Sequence, residues 1–371
     1  MYAESYFKRR HKMNVVISWI LSIFAVIGGL DYLFGNRLGL GSKFERALAL
    51  MGPMATSITG VIVMVPVLSL ALQKTIVPLF AAIGFDPGVF GGLIPVDWGG
   101  FFLARDLAFD PRMGLFGGIN VAGTFGTVLS FAIPLGMRVL KDKNKQDAFA
   151  RGILEGLVIM PVSLILGGLV AGLGFLEILW HSLPIFILSG LVLFGIWRNL
   201  PLMVRIFTAF SQILRAIGVI GITIGAFQQM AGVTLIPIIT PILDAMRIIC
   251  MITVTMLGCL PLSEFLTRIL RKPLESLAKK VRTSPEALSD PIMTIASGTA
   301  GIIAMQDFDE RGIELNAAFV VFAVSALSAQ LSFVLNNAPD HTVSYMVTKF
   351  VGGFLAIIFS VWMMNRRENK K

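Results

Sequence analysis

Apolar residues fall along this chain in long unbroken blocks, not in the alternation of a half-buried strand or the single stripe of a surface helix. Blocks at 14–34, 47–72, 113–139, 148–176, 183–198, 202–230, 245–267, 313–335 and 342–364 are each predicted to be a membrane-spanning helix. Roughly 20 such residues suffice to cross a bilayer. Two further segments, near 75–108 and 285–308, are as apolar but are interrupted by Gly, Pro and charge. The pattern predicts an all-α polytopic membrane protein, one integral-membrane domain over 1–371 with ten or eleven spans, the count depending on whether the interrupted segments cross.

The interrupted segments carry the functional signal. The first reads Phe85-Asp86-Pro87-Gly88-Val89-Phe90-Gly91-Gly92-Leu93-Ile94-Pro95-Val96-Asp97-Trp98-Gly99-Gly100 and ends in Arg105-Asp106. Lipid offers no partners to N–H and C=O groups, so non-helical backbone at membrane depth must be buried in protein or line a watered cavity. Broken helices of this kind build substrate sites in secondary transporters. The second segment repeats the order of the first at an offset of about 200. Pro66, Pro78, Pro87, the glycine break and Asp110-Pro111-Arg112-Met113-Gly114 correspond to Pro261, Pro273, Pro285, Ser297-Gly298-Thr299-Ala300-Gly301 and Asp309-Glu310-Arg311-Gly312. Two structural repeats, about 14–178 and 202–364, are therefore expected, each with a Gly/Pro-broken or re-entrant segment. The breaks should meet near the midplane, with Gly298 and Gly301 facing Gly99 and Gly100. Inverted and parallel repeats both fit the sequence.

Composition narrows the class. With 56% apolar and 14% charged residues, the chain cannot cover a soluble surface of this size. The net charge of +9 is not a nucleic-acid signal, because the basic residues adjoin apolar runs, where they orient spans. Lys8-Arg9-Arg10-His11-Lys12 precedes a run too long for a signal-peptide core and without a cleavage site. An uncleaved first span with a cytoplasmic N-terminus, in the cell membrane, is expected. The linkers Arg138–Arg151 and Arg268–Arg282 should also be cytoplasmic, and the acidic Asp307-Phe308-Asp309-Glu310 should face the other side or a cavity. Eleven crossings would put Arg366-Arg367 outside, against the charge bias.

Several chemistries find no residues. Cys250 and Cys259 share one apolar segment and read as packing residues. His181 and His341 flank spans without ligand-like neighbours, so no metal is expected. No Walker A pattern serves ATP, and no cofactor is implied. The partners are a small-molecule substrate and the bilayer, with homo-oligomerisation left open.

Among candidate site residues Asp97 comes first. A carboxylate beside a helix break can hold an ammonium or a coupling cation; it can equally pair with Arg105 or cap the helix that starts at Gly99. Trp98, Gly99 and Gly100 in the first break, Ser297, Gly298 and Thr299 in the second, and Gln330 complete the substrate-binding set. Asp106, Glu155 and Glu264 are candidates for ion or proton coupling. Glu155 and Glu264 each lie four residues from an arginine, Arg151 and Arg268, so local pairs are the alternative. Lys349 lies deep enough in the last span to need a partner or to snorkel. Asp86 and Asp110 precede prolines and read as turn or cap residues. Arg198, Arg205 and Arg215 fit an interfacial helix as well as a gate.

One stretch also resembles a known family. Asp97-x-Gly99-Gly100-Phe101-Phe102-Leu103-Ala104-Arg105-Asp106-Leu107-Ala108 is similar to the signature segment of the ethanolamine utilization permease family, integral-membrane proteins associated with ethanolamine uptake. Further stretches agree in order: Gly152-x-Leu154-x-Gly156-x-Val158-x-x-Pro161 running to Gly167-Gly168-Leu169, Leu266-Thr267-Arg268-x-x-x-Lys272-Pro273-Leu274, Asp309-x-Arg311-Gly312 and Lys349-x-x-Gly352-Gly353. The chain departs from the family pattern at Ser297-Gly298 and Ala300, where a paired Asn and a Pro are expected, and at Ala329-Gln330, where an Asp-His pair is expected. The resemblance implies uptake of a small polar or cationic solute, ethanolamine or a related small amine first. A passive facilitator or channel is the alternative, and an intramembrane enzyme the third reading.

Overall fold

The structure is a computed structural model that describes the backbone of residues 2–281 and 283–369, and the side chains of residues 15–269, 283–284 and 286–369. The basic cluster Lys8–Lys12, most of the Arg268–Arg282 linker and Lys370-Lys371 lie outside the described side chains.

Helices account for every regular element among the described residues. They are α1 (Tyr2–Leu33), α2 (Gly41–Ile83), α3 (Gly88–Gly91), α4 (Gly100–Leu107), α5 (Pro111–Val139), α6 (Lys143–Ala171), α7 (Phe175–Ala231), α8 (Ile242–Val281), α9 (Pro285–Ala296), α10 (Gly298–Ala304), α11 (Glu310–Ala323), α12 (Ala329–Asn337) and α13 (Pro339–Glu368). Seven helices among the described residues are long and apolar enough to cross a bilayer. One of them, α7, is bent at Asn199 (φ −155°, ψ 77°) and holds both of the expected spans 183–198 and 202–230. Pro201 follows the bend, and a proline disfavours α geometry just before it and removes an N–H donor. The expected span 313–335 is not continuous: α11 and α12 are separated by a break at Val324–Ser328.

Contacts between helices fix which ends lie together. α1 runs parallel to α8, since Gly258 abuts the Leu21 carbonyl, Gly28 abuts Pro261 and the rings of Phe24 and Phe265 meet at 5.2 Å. Arg268 therefore reaches the Leu38 carbonyl, and Glu264 pairs with Lys43 at 3.0 Å. α12 runs antiparallel to α8, with Cys259 facing Ser332 and Thr255 accepting from Asn336 at 2.9 Å. α11 runs parallel to α6, and α13 antiparallel to both, so Arg367 arrives at Glu155 and Glu314. One face of the molecule thus gathers Lys43, Arg138, Arg151, Arg268, Arg311 and Arg367; it is called the basic face below. The opposite face holds Asp86, Asp110, Arg112, Glu177 and His181, joined by Arg112–Glu177 at 2.7 Å and the Asp86 N–H donating to His181 at 2.9 Å.

One expectation resolves to the second of its alternatives, a cavity, and one changes. The acidic stretch at Asp307–Glu310 lies on the basic face, where Glu310 faces Arg151 at 3.8 Å and lines a charged cavity of about 420 Å³. α1 ends on the basic face, so its N-terminal end lies opposite, away from the linkers with which it was expected to share a side.

Candidate functional site

The interrupted segments are two hairpins that enter the protein from opposite faces. In the first, Asp86 accepts the N–H groups of Gly88 (2.7 Å), Phe109 (3.1 Å) and Asp110 (2.8 Å), so the segment ends where it began. α3 and α4 lie against each other because Gly91 has no side chain: a Cβ there would sit 2.3 Å from the Ala104 amide nitrogen. The tip is a 3₁₀ turn at Val96–Trp98 closed by Gly99 in the left-handed region at φ +97°, which a side chain would strain. At the hairpin mouth, outside the spans, hydrogen bonding from the Arg112 guanidinium holds the Asp110 carboxyl below its ordinary value. In the second hairpin Thr283 donates to Asp309 at 3.2 Å, and α9 and α10 meet at Ser297. Asp110 and Asp309 each cap the helix that follows their hairpin.

The tip of the second hairpin is docked on the break in the α11–α12 crossing. Ser325 N–H donates to the Thr294 carbonyl at 3.0 Å, Leu327 N–H to that of Ile295 at 3.0 Å, and Gly298 N–H to the Ser325 hydroxyl at 3.2 Å. Ser325 is left-handed (φ +51°), a conformation that costs a non-glycine residue of order 1–3 kcal/mol and persists where the surroundings enforce it. Wide-turn π-helical stretches at Gly117–Gly126, Val128–Ala132 and Val347–Val351 flank the same region, and such stretches are frequent at functional sites.

Both tips line one cavity of about 160 Å³. Asp97, Trp98, Ser297, Thr299 and Gln330 all border it, joined by Thr127, Ser325 and Ser328, with Leu50, Met54, Phe131, Met256 and Val324 as apolar walls. Among the described residues Asp97 is the sole carboxylate of that lining. Gln330 donates to Thr127 at 3.0 Å, while its Oε1 is buried without a partner. The cavity far exceeds the ~10–15 Å³ that one water needs, and so admits a small solute. Trp98 also borders a second cavity of about 510 Å³, lined by Thr56, Ser57, Arg138, Gln212 and Arg215 among others.

Other expected residues lie elsewhere. Gly99, Gly100 and Gly298 support the tips but do not border the cavity. The glycines of the two breaks do not face one another: the nearest neighbours of Gly99 are Val61 and Val65, of Gly100 Ile94, of Gly298 Val324 and Phe131, and of Gly301 Thr294. Asp106 is exposed at the end of α4. Glu264 pairs with Arg268 (2.9 Å) and Lys43 on the basic face. Glu155 pairs not with Arg151 but with Arg367 at 3.1 Å. Asp97 neither caps α4 nor pairs with Arg105, whose guanidinium stacks on Phe101 at 5.4 Å.

Lys349 is the one fully buried lysine among the described residues. Its Nζ donates to the Gly123 carbonyl and lies 5.6 Å from the Tyr345 ring. Its depth in the last span was legible in the sequence as a need for a partner or for snorkelling; it does not snorkel. Asp290 was missed altogether. It is 1% exposed in α9 and among the described residues meets the Thr294 hydroxyl alone, at 3.4 Å. Its place inside Pro285–Ala296 could have flagged it as a carboxylate at membrane depth.

Paired hairpins from opposite faces, around a largely apolar cavity with one carboxylate, inside a polytopic bundle, fit a membrane transport protein. The chain belongs to the family described as "Ethanolamine utilisation protein, EutH", whose model matches residues 13–363. It is 33% identical over 359 residues to a probable ethanolamine permease EutH of Listeria monocytogenes, covering 96% of each chain. It is 28% identical to the probable ethanolamine permease EutH of Escherichia coli, covering 96% of this chain and 97% of that one. An uncharacterized protein, YxeR, of Bacillus subtilis is 30% identical over 97% of each chain. No solved structure matches this chain.

Proposed function

We propose that the protein takes up ethanolamine or a closely related small amine, held in the cavity between the two hairpin tips. The observation that carries this reading is Asp97: a buried carboxylate, the only one in the lining, placed where a solute ammonium can reach it. The unpartnered Gln330 Oε1 supplies an acceptor for a solute hydroxyl, and the apolar walls suit a short carbon chain. The names of the relatives support the same substrate class.

The two hairpins support an inverted repeat. Elements of the two halves correspond in order: α2 with α8, α5 with the α11–α12 crossing, and α6 with α13. Their hairpins open to opposite faces. Placing the basic face in the cytoplasm satisfies the charge bias. The C-terminus is then cytoplasmic and the N-terminal end of α1 lies outside, in a cell membrane. Because the hairpins return to the face they leave, Arg366 and Arg367 no longer conflict with that bias.

Uptake of labelled ethanolamine into proteoliposomes, competed with other small amines, amino acids and neutral polyols, tests the reading. Truncating one partner of a desolvated charge pair costs about 2–5 kcal/mol, so Asp97→Asn is expected to weaken amine binding at least ~30-fold. Transport of a polyol or an anion with no response to any amine would overturn it. Uptake that follows only the solute's own gradient would instead identify a passive facilitator.

A further inference from the structure

Beyond its bend, α7 carries a polar face that its packing leaves uncovered. Thr208, Ser211, Gln212 and Arg215 recur every three or four residues, which places them on one side of the helix. Leu214, Gly218, Gly221 and Gly225 are buried on another side, where Gly218 and Gly221 abut Gly60 of α2. The polar face borders the cavity of about 510 Å³, together with Arg138 from the end of α5 and Trp98 from the first hairpin tip. Arg138 is in an ordinary place, since a helix dipole favours a cation in the last turn. Arg215 is not. It stands halfway between the bend at Asn199 and the end of α7 at Ala231, where a charge at membrane depth calls for a counter-charge. The surrounding elements supply none. α5 has no carboxylate, α7 has none beyond Glu177 on the opposite face, and α2 has only Glu45, well before Pro53 enters the lining. Neither arginine forms an ion pair among the described residues.

Two guanidiniums that border one cavity without a carboxylate are suited to an anion. The guanidinium fork matches the oxygens of a phosphate group two at a time, and Thr208, Ser211 and Gln212 add neutral donors. The Thr56 and Ser57 hydroxyls add none, because they donate to the Gly52 and Pro53 carbonyls at 3.0 and 2.9 Å. We propose that the cavity bordered by α2, α5 and α7 is a site for a phosphate group, held by Arg138 and Arg215. Trp98 stands between this cavity and the central one, which keeps the anion from the Asp97 carboxylate. Soluble phosphate and the headgroup of an anionic phospholipid present the same oxygens, so the recognition chemistry is common to both. The inference does not depend on which solute the central cavity takes.

The test follows the melting temperature of the purified full-length protein, which rises with the concentration of any ligand that binds only the folded state. In detergent the probe is sodium phosphate, compared with sodium chloride at equal ionic strength. In nanodiscs it is phosphatidylglycerol mixed into phosphatidylcholine, compared with phosphatidylcholine alone. A rise with sodium phosphate identifies a soluble ligand, and a rise with phosphatidylglycerol alone identifies a lipid headgroup. Losing one charged donor should weaken binding at least ~10-fold, so Arg215→Gln is expected to shift the half-maximal ligand concentration up by that factor. Arg215→Lys keeps the charge but not the fork and should fall between. Arg205→Gln removes the same charge from the same helix outside the lining, and should leave the half-maximal concentration unchanged. No rise for the wild type in either arm overturns the site. So does a rise that Arg215→Gln keeps in full, or an equal loss in Arg205→Gln. If Arg215→Gln does not fold, Arg138→Gln at the helix end carries the same comparison.

Discussion

Asp86 illustrates how a residue near the surface can govern a site buried at the centre. Its carboxylate gathers three backbone N–H groups from the two ends of the first hairpin, which lie 23 and 24 residues apart along the chain. Hydrogen bonds to a charged acceptor contribute about 1.5–3 kcal/mol each. Asp86→Ala is expected to destabilise the protein by roughly 3 kcal/mol, visible as a lower melting temperature in detergent. Asp86→Asn, which keeps an acceptor, should lose less. Sequence alone identified Asp86 as a turn residue because Pro87 follows it. Its role in closing the hairpin was hidden, because Phe109 and Asp110 become its neighbours only when the segment folds back. Asp97 was legible as a carboxylate beside a break; that Thr127 and Ser328 border the same cavity was not. Arg105, nearer in sequence, is exposed and stacks on Phe101 instead of pairing with Asp97.

At the scale of elements, the two hairpins are short, and their tips are held by backbone contacts that small residues permit. The first tip also forms a wall. Trp98 borders the central cavity on one side and the larger cavity with Arg138 and Arg215 on the other. Trp98→Ala should join the two spaces and let solute leak. The measurement is efflux from preloaded proteoliposomes, where a faster and non-saturating rate is the expected outcome. An unchanged rate would mean that the wall lies elsewhere. Arg215, read from the sequence as either interfacial or gating, lies beside this wall, so the variant also probes that choice.

For the whole molecule, the ends brought together by α1, α8, α11 and α13 give a testable orientation. Single cysteines at Lys43, Lys145 and Asn365 should react with a membrane-impermeant thiol reagent only from the cytoplasmic side. Cysteines at Phe85, Phe109 and Leu176 should react only from outside. Labelling of Phe109 and Lys145 from one and the same side would rule out the arrangement. The two native cysteines should be replaced first, since Cys250 is exposed.

The membrane class, the all-helical fold, the places where helices break and the presence of a carboxylate beside the first break were determined by local sequence. Hydropathy is a sum over neighbouring residues, and glycine and proline act on the backbone where they stand. The direction of each hairpin, the lining of the cavity between their tips and the burial of Asp290 were decided by tertiary structure. Each depends on which side chains meet across helices far apart in sequence, and the electrostatic cost of an unpaired charge is set by that meeting, not by the residues on either side of it.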